Sequence, residues 1–205
     1  MTVLSQIVEQ ARAQSPAEVV AVVSAVAYLV LAIRQNIACW FFAAISTAIY
    51  IWLFIVAKLY MESVLNGFYL AMAVYGWFVW RSGKDASGTR PVTVWPLQRH
   101  IIALLFIALV ALLNGFALNT WTDAAYPYID SLTTWSAIWA TFLVARKVLE
   151  NWWYWLVIDA ASVAIYWSRD LQLTSLLFVL YLVMIPFGLK AWTESLRRQE
   201  SGEPA

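Results

Sequence analysis

The sequence predicts an all-α membrane protein of seven transmembrane helices, arranged as two three-helix units in parallel orientation with one helix between them. Three observations lead there. Of 205 residues, 63% are apolar and 12% charged, and the mean hydropathy is +0.71. An ordinary globular chain has roughly 45–50% apolar and about 25% charged residues, so lipid is the solvent here. Seven apolar windows follow one another, each near the ~20 residues that a bilayer core requires. Finally, the chain matches itself at one fixed offset, the one that lays Arg34 on Arg146.

In chain order, the first residues, MTVLSQIVEQARAQSP, include Glu9 and Arg12 and lack the basic start, apolar core and small-residue cleavage site of a leader. No cleaved signal peptide is expected. The windows run over 17–34, 36–57, 61–81, 99–119, 128–146, 150–168 and 171–192. Each must be helical, because a lone strand in lipid leaves its backbone groups unpaired. The connections Arg34-Gln35-Asn36, Ala57-Lys58-Leu59-Tyr60 and Arg169-Asp170 are short enough to force antiparallel neighbours. The loop RSGKDASGTRPVTVWPLQR at 81–99 reads as a flexible link.

Sliding the chain until Arg34 lies on Arg146 also lays Trp40 on Trp152, Tyr69 on Tyr181, Met72 on Met184, Gly76 on Gly188 and Trp80 on Trp192, with Leu31, Leu65 and Leu70 on leucines. The organisation is therefore 1–81 as the first unit, 82–119 as loop and linker helix, 120–195 as the second unit and 196–205 as a tail. Parallel repeats of this kind form transporters, with the solute path at the interface between units. Arg34, Arg81, Lys84, Arg90, Arg99, Arg146, Lys147, Lys190, Arg197 and Arg198 fall on one side, and only Arg12, Lys58 and Arg169 on the other. The positive-inside rule then puts the N-terminus outside and the C-terminus in the cytoplasm.

An ionisable residue inside a span is a functional hypothesis by default. Asp159 is the outstanding one. Trp155, Asp159, Ser162 and Tyr166 follow at spacings of four, three and four and share one helix face. This stripe suits a pocket in which Trp155 stacks on a flat ring and Asp159 pairs with a cation or a sugar hydroxyl; the competing reading is a polar bridge that locks two helices. The second span offers a counterpart in Asn36, Trp40, Ala43, Thr47 and Tyr50. Trp40 and Trp152 bracket a planar solute on one reading and sit in an interfacial aromatic belt on the other, where Trp80, Trp121 and Trp192 are also expected. The fifth span contributes Asp130, Ser131, Thr134 and Thr141. In the turn ARKVLEN, Arg146 and Lys147 fix orientation, Glu150 offsets a basic neighbour and Asn151 caps the sixth span. His100 opens the fourth span as an interface residue, and Cys39, the single cysteine, reads as a packing residue.

The segment YIDSLTTWSAIWATFLVARKVLENWWYWLVIDAASVAIYW, with its Asp130-Ser131, Ala145-Arg146-Lys147 and Glu150-Asn151-Trp152-x-x-Trp155 elements, resembles the second repeat of the PnuC family of vitamin transporters. Trp40, Tyr50 and Tyr75-Gly76-Trp77-Phe78-Val79-Trp80 are similar to the first, and the likeness covers roughly 30–195. It implies a 3+1+3 fold like that of the SWEET sugar transporters, facilitated diffusion of nicotinamide riboside, and trapping of the solute by a cytosolic kinase. Thiamine is the closest rival solute, with riboflavin carried by some relatives. Some relatives have an additional N-terminal helix, for which this sequence lacks the length.

The expected solute site comprises Asn36, Trp40, Thr47, Tyr50, Asp130, Thr134, Asn151, Trp152, Trp155, Asp159, Ser162 and Tyr166. A phosphorylated solute would need a buried base, and the spans offer none near their centres. Beyond solute, bilayer and kinase, the chain is compatible with a homo-oligomer. No nucleic-acid partner, metal or cofactor is expected, and no nucleophile or acid–base constellation supports an enzyme. A structural or assembly protein, with polar stripes that only hold helices together, is the alternative of another class.

Overall fold

The computed structural model describes residues 3–58, 60–82, 90–122 and 126–201. Among them eight helices form: α1 (Val3–Ala13), α2 (Pro16–Ile33), α3 (Cys39–Val56), α4 (Tyr60–Ser82), α5 (Leu97–Trp121), α6 (Pro127–Ala145), α7 (Asn151–Ser168) and α8 (Gln172–Ser201). The seven expected spans correspond to α2–α8. Of these, α2, α3, Glu62–Ser82 of α4, α5 and α8 are long and apolar enough to cross a membrane by composition. The other two, α6 and α7, carry the intramembrane Ser, Thr, Asn and Asp residues that lower their hydropathy. Leu59 and Lys84 lie outside the described residues.

Local chemistry accounts for the breaks. At the start of α2, Glu18 N–H donates to Ser15 Oγ at 3.2 Å, the Glu18 carboxylate accepts from the Ser15 N–H, and Pro16 fills the first turn. After α2, Gln35 N–H bonds Ala32 O at 3.0 Å and Asn36 N–H bonds Leu31 O at 2.9 Å. After α6, Lys147 bonds Val144 O and Val148 bonds Leu143 O, both at 2.9 Å. These are Schellman closures without glycine, so Gln35 and Lys147 adopt φ of 54° and 53°. Lys58 and Asp170, at the other pair of turns, have φ of 61° and 57°. Each pair is separated by the offset that relates Arg34 to Arg146.

Helix α3 packs between α2 and α4, α7 packs between α6 and α8, and α5 lies along α6. Contacts of α4 with α6 and of α2 with α8 join the two sets. The joining bonds also recur at the same offset. Trp80 Nε1 donates to Val144 O at 3.3 Å and to Ala145 O at 3.2 Å, and Trp192 Nε1 donates to Ala32 O at 3.0 Å. Bonds within each set recur too: Ser63 Oγ donates to Ile51 O at 3.3 Å, and Ser175 Oγ to Val163 O at 3.0 Å. Edge-on pairs Trp40–Trp80 and Trp152–Trp192 both have centroids 5.5 Å apart.

The buried core gathers these four indoles with Cys39, Ala145 and Ile185 at the end of the bundle that carries Arg34 and Arg146, here the basic end. Long apolar side chains such as Leu105, Phe106, Leu113 and Phe116 of α5 stay exposed, as a lipid-facing surface requires. The chain spans a membrane.

Four expectations are corrected. Trp80 and Trp192 are buried indoles that tie helices together, not belt residues; Trp121, 78% exposed, fits the belt. His100 is buried and its Nδ1 lies 3.0 Å from Tyr154 OH, because the long tyrosine side chain of α7 reaches the first turn of α5. The link at 81–99 is not free over its second half. Thr93 bridges Val148 and buries Val92 against the turn after α6. The chain also has an additional N-terminal helix, α1, although its 11 residues give only about 16 Å of rise against the roughly 30 Å of a bilayer core. Helix α8 continues past the expected span into the charged segment ending at Ser201, so the tail from 196 is helical as far as it is described.

A Cβ on Gly76 or Gly188 would overlap the indole of Trp40 or Trp152 respectively, whereas one on Gly67 meets nothing within 4 Å. Overpacking a buried indole costs about 1–3 kcal/mol, more than the ~1 kcal/mol that alanine gains over glycine in a helix. Gly188→Ala should therefore lower the melting temperature of the purified protein. Gly67→Ala should leave it unchanged or raise it.

Candidate functional site

A cavity of about 360 Å³ lies between α2–α4 on one side and α6–α8 on the other, and α5 contributes no wall. Such a volume falls in the range of roughly 300–1,000 Å³ typical of small-molecule sites. The α7 face supplies Trp152, Trp155, Asp159, Ser162 and Tyr166, whose alternating spacing of three and four keeps one stripe inward. From α3 come Trp40, Ala43 and Thr47, and from α6 Thr133, Thr134, Ala137 and Thr141. Tyr28, Tyr69, Phe178 and Tyr181 complete the aromatic walls. Trp40 and Trp152 lie across the basic end of the cavity, backed by Trp80 and Trp192, whose ring centroids are 6.3 Å apart.

Several polar linings are already committed. Thr47 Oγ1 donates to Ala43 O at 2.8 Å, Thr141 Oγ1 to Ala137 O at 2.8 Å, Thr133 Oγ1 to Ile129 O at 3.0 Å and Ser46 Oγ to Ala21 O at 2.9 Å. Asp159 differs. It is 3% exposed and lines the cavity, yet among the described residues it makes no hydrogen bond or ion pair. An unpaired buried carboxylate is costly unless a ligand completes it. No Lys, Arg or His lines the cavity among the described residues, so its charge is set by Asp159.

Of the expected site residues, Trp40, Thr47, Thr134, Trp152, Trp155, Asp159, Ser162 and Tyr166 converge on this cavity. Four do not line it. Asn36 is exposed and its Oδ1 accepts from Ala38 N–H at 2.9 Å, serving the turn before α3. Tyr50 stacks on Phe54, with centroids 5.6 Å apart. Asp130 is held by Arg169 Nη2 at 2.9 and 3.2 Å at the end opposite the basic one. Asn151 is fully buried, but it is the first residue of α7 and not its cap; its Nδ2 donates to Val148 O at 2.7 Å. Glu150 accepts from Trp95 N–H at 3.3 Å and lies 3.9 Å from His100. Tyr28, Tyr69 and Tyr181 were missed, although Tyr69 and Tyr181 match each other across the offset and so mark one equivalent position.

Residues 15–194 match the family described as nicotinamide mononucleotide transporter. The chain is 25% identical over 209 residues to the nicotinamide riboside transporter PnuC of Escherichia coli strain K12, covering 90% of this chain and 87% of that one. It is 26% identical over 147 residues to the riboflavin/roseoflavin transporter RibM of Streptomyces davaonensis, covering 66% and 67% of the two chains. The crystal structure of the vitamin B3 transporter PnuC superposes with a TM-score of 0.71 at 20% identity, over 96% of this chain and 90% of that one. That likeness establishes the common fold.

Proposed function

The chain belongs to the nicotinamide mononucleotide transporter family, the PnuC family of vitamin transporters, and on that premise we propose that it carries nicotinamide riboside across the inner membrane by facilitated diffusion. The observation that carries this reading is the unpaired Asp159 carboxyl in an aromatic cavity between two three-helix sets. A flat pyridinium cation stacks on Trp155, its charge faces Asp159, and its ribose hydroxyls meet Ser162, Thr134 and the hydroxyl of Tyr166. The unphosphorylated nucleoside suits a cavity with no basic side chain better than the mononucleotide does. Thiamine, also a flat cation, is the nearest competitor. Riboflavin, named for the Streptomyces relative, is uncharged and leaves the carboxylate without a charge partner.

The contacts that recur at the repeat offset support reading 1–81 and 120–195 as equivalent parallel repeats joined by 82–119, a 3+1+3 arrangement in which one repeat rocks against the other around the cavity. The clustering of basic residues supports a cytoplasmic basic end, with the N-terminus outside and the C-terminus inside. Among the described residues no second acidic or basic side chain lines the cavity to form a relay with Asp159. Transport therefore needs no coupled ion, and accumulation depends on phosphorylation of the solute by a cytosolic kinase.

Uptake of labelled nicotinamide riboside into proteoliposomes tests this. It should equilibrate without a proton or sodium gradient, ignore a protonophore, and exceed equilibrium only when a riboside kinase and ATP are sealed inside. Uptake that collapses on adding the protonophore would contradict it.

A further inference from the structure

Gln35 and Lys147 occupy equivalent turns of the two repeats, and they touch each other: Lys147 Nζ donates to Gln35 Oε1 at 3.1 Å. Lys147 is 1% exposed. Its ammonium also donates to Arg90 O at 2.9 Å and stands 4.6 Å from the centroid of the Trp80 ring. The side chain thus meets Gln35 and Trp80 of the first set and the linker on its own side.

The two turns are not held alike. The turn after α6 is strapped by residues 90–96. Thr93 N–H donates to Lys147 O at 2.9 Å, Leu149 N–H to Thr93 O at 2.8 Å, and Arg90 Nε to Arg146 O at 3.3 Å. Those bonds bury Lys147 and Val148, whereas their counterparts Gln35 and Asn36 are half-buried and exposed. Helix α5 packs on α6 and reaches Tyr154 through His100, with no close backbone approach to α2–α4 among the described residues. Strap, α5 and α6–α8 therefore form one body, and Gln35 is where that body grips the other.

We infer that Lys147 is a positioning residue for transport: anchored by the 90–96 strap, it holds the basic end of the pathway shut through Gln35, and α2–α4 swing from a stationary α5–α8 when that contact parts. The bond is suited to opening. What parts is one hydrogen bond from the ammonium to a neutral amide oxygen, while the bonds of Lys147 to the strap stay in place.

The inference takes from the transport reading only that the two sets part at one end. Its readout is Cys39, the single cysteine of the chain, which is 0% exposed at the start of α3, in the buried cluster that Trp40 and Trp80 share with Ala145, Trp152 and Trp192 of the other set. Parting of the basic end exposes it to a maleimide in detergent-purified protein, whatever solute is carried. Losing a hydrogen bond to a charged group is worth about a factor of ten or more. Gln35→Ala should accordingly label about tenfold faster than the native protein at temperatures well below its melting point.

Gln35→Glu supplies a carboxylate to the ammonium and should do the reverse, labelling more slowly and lowering the maximal uptake rate without raising KM. A merely structural role predicts that labelling follows melting temperature in both variants and that Gln35→Glu leaves the maximal rate unchanged. Native labelling rates in both variants, or faster labelling in Gln35→Glu, would overturn the inference, while the solute assignment would stand.

Discussion

Asp159→Asn should weaken nicotinamide riboside binding roughly ten- to hundredfold, the equivalent of about 1.5–3 kcal/mol for a charge-assisted contact, and should leave the melting temperature unchanged or raised. The two halves of this expectation have separate causes. Asparagine keeps the shape and hydrogen-bonding capacity of the side chain and removes its charge, so the loss reports the contact with the cation. The carboxyl is buried on the cavity wall with no partner among the described residues. Neutralising it breaks no helix-to-helix bond and relieves the desolvation of an unpaired charge. The opposite pattern, a destabilised variant with native affinity, would mean that Asp159 locks helices and binds no solute. Calorimetric titration and thermal melting of the same preparations separate the two.

Nicotinamide mononucleotide should bind at least about a hundredfold more weakly than the riboside. Its phosphate adds about −1.5 to −2 charges at neutral pH. Burying a charge without a partner costs several kcal/mol, of which about 3 kcal/mol is already a factor of a hundred. The cavity offers that phosphate no Lys, Arg or His among the described residues, and it presents Asp159 instead. The buried Lys147 is engaged by Gln35 and Arg90. Competition of the phosphate ester against labelled riboside measures the difference, and equal affinities would contradict the electrostatic reading of the site.

The helices were legible because each span is an apolar run closed by a local signal. Pro16 and Ser15 open α2, and left-handed residues at 35, 58, 147 and 170 allow turns too short for anything but antiparallel neighbours. The docking of residues 90–96 was not legible. Val92 and Val148 are ordinary apolar residues in loops, and only tertiary pairing of Thr93 with Lys147 and Leu149 makes them core. Trp80 and Trp192 misled for a related reason. An indole near a basic residue at a helix end fits a headgroup belt by position alone, and the carbonyls that accept their N–H groups lie on helices remote in sequence.

The site shows the same division. The α7 stripe was readable because Asp159 and Ser162 mark one face of a helix whose other residues from 152 to 167 are aromatic or apolar. Tyr28 and Tyr181 sit on helices whose charged residues within the spans, such as Glu18 and Lys190, lie only near the ends and mark no inward face at their depth, so periodicity could not select them. Asp130 looked like a site residue because a carboxylate inside a span calls for a partner; that partner is Arg169, and the pairing could not be read from spacing.

The central claim is that Asp159 sets the sign of the cavity, so that one carboxylate both attracts the pyridinium and repels the phosphate. The most direct test is the ratio of riboside to mononucleotide affinity, measured by titration in the native protein and in Asp159→Asn. If the carboxylate acts on both ligands, the ratio should fall by about tenfold or more in the variant, the size of a coupling between charges in contact. A ratio unchanged by the substitution, with both ligands bound as tightly as by the native protein, would contradict the account.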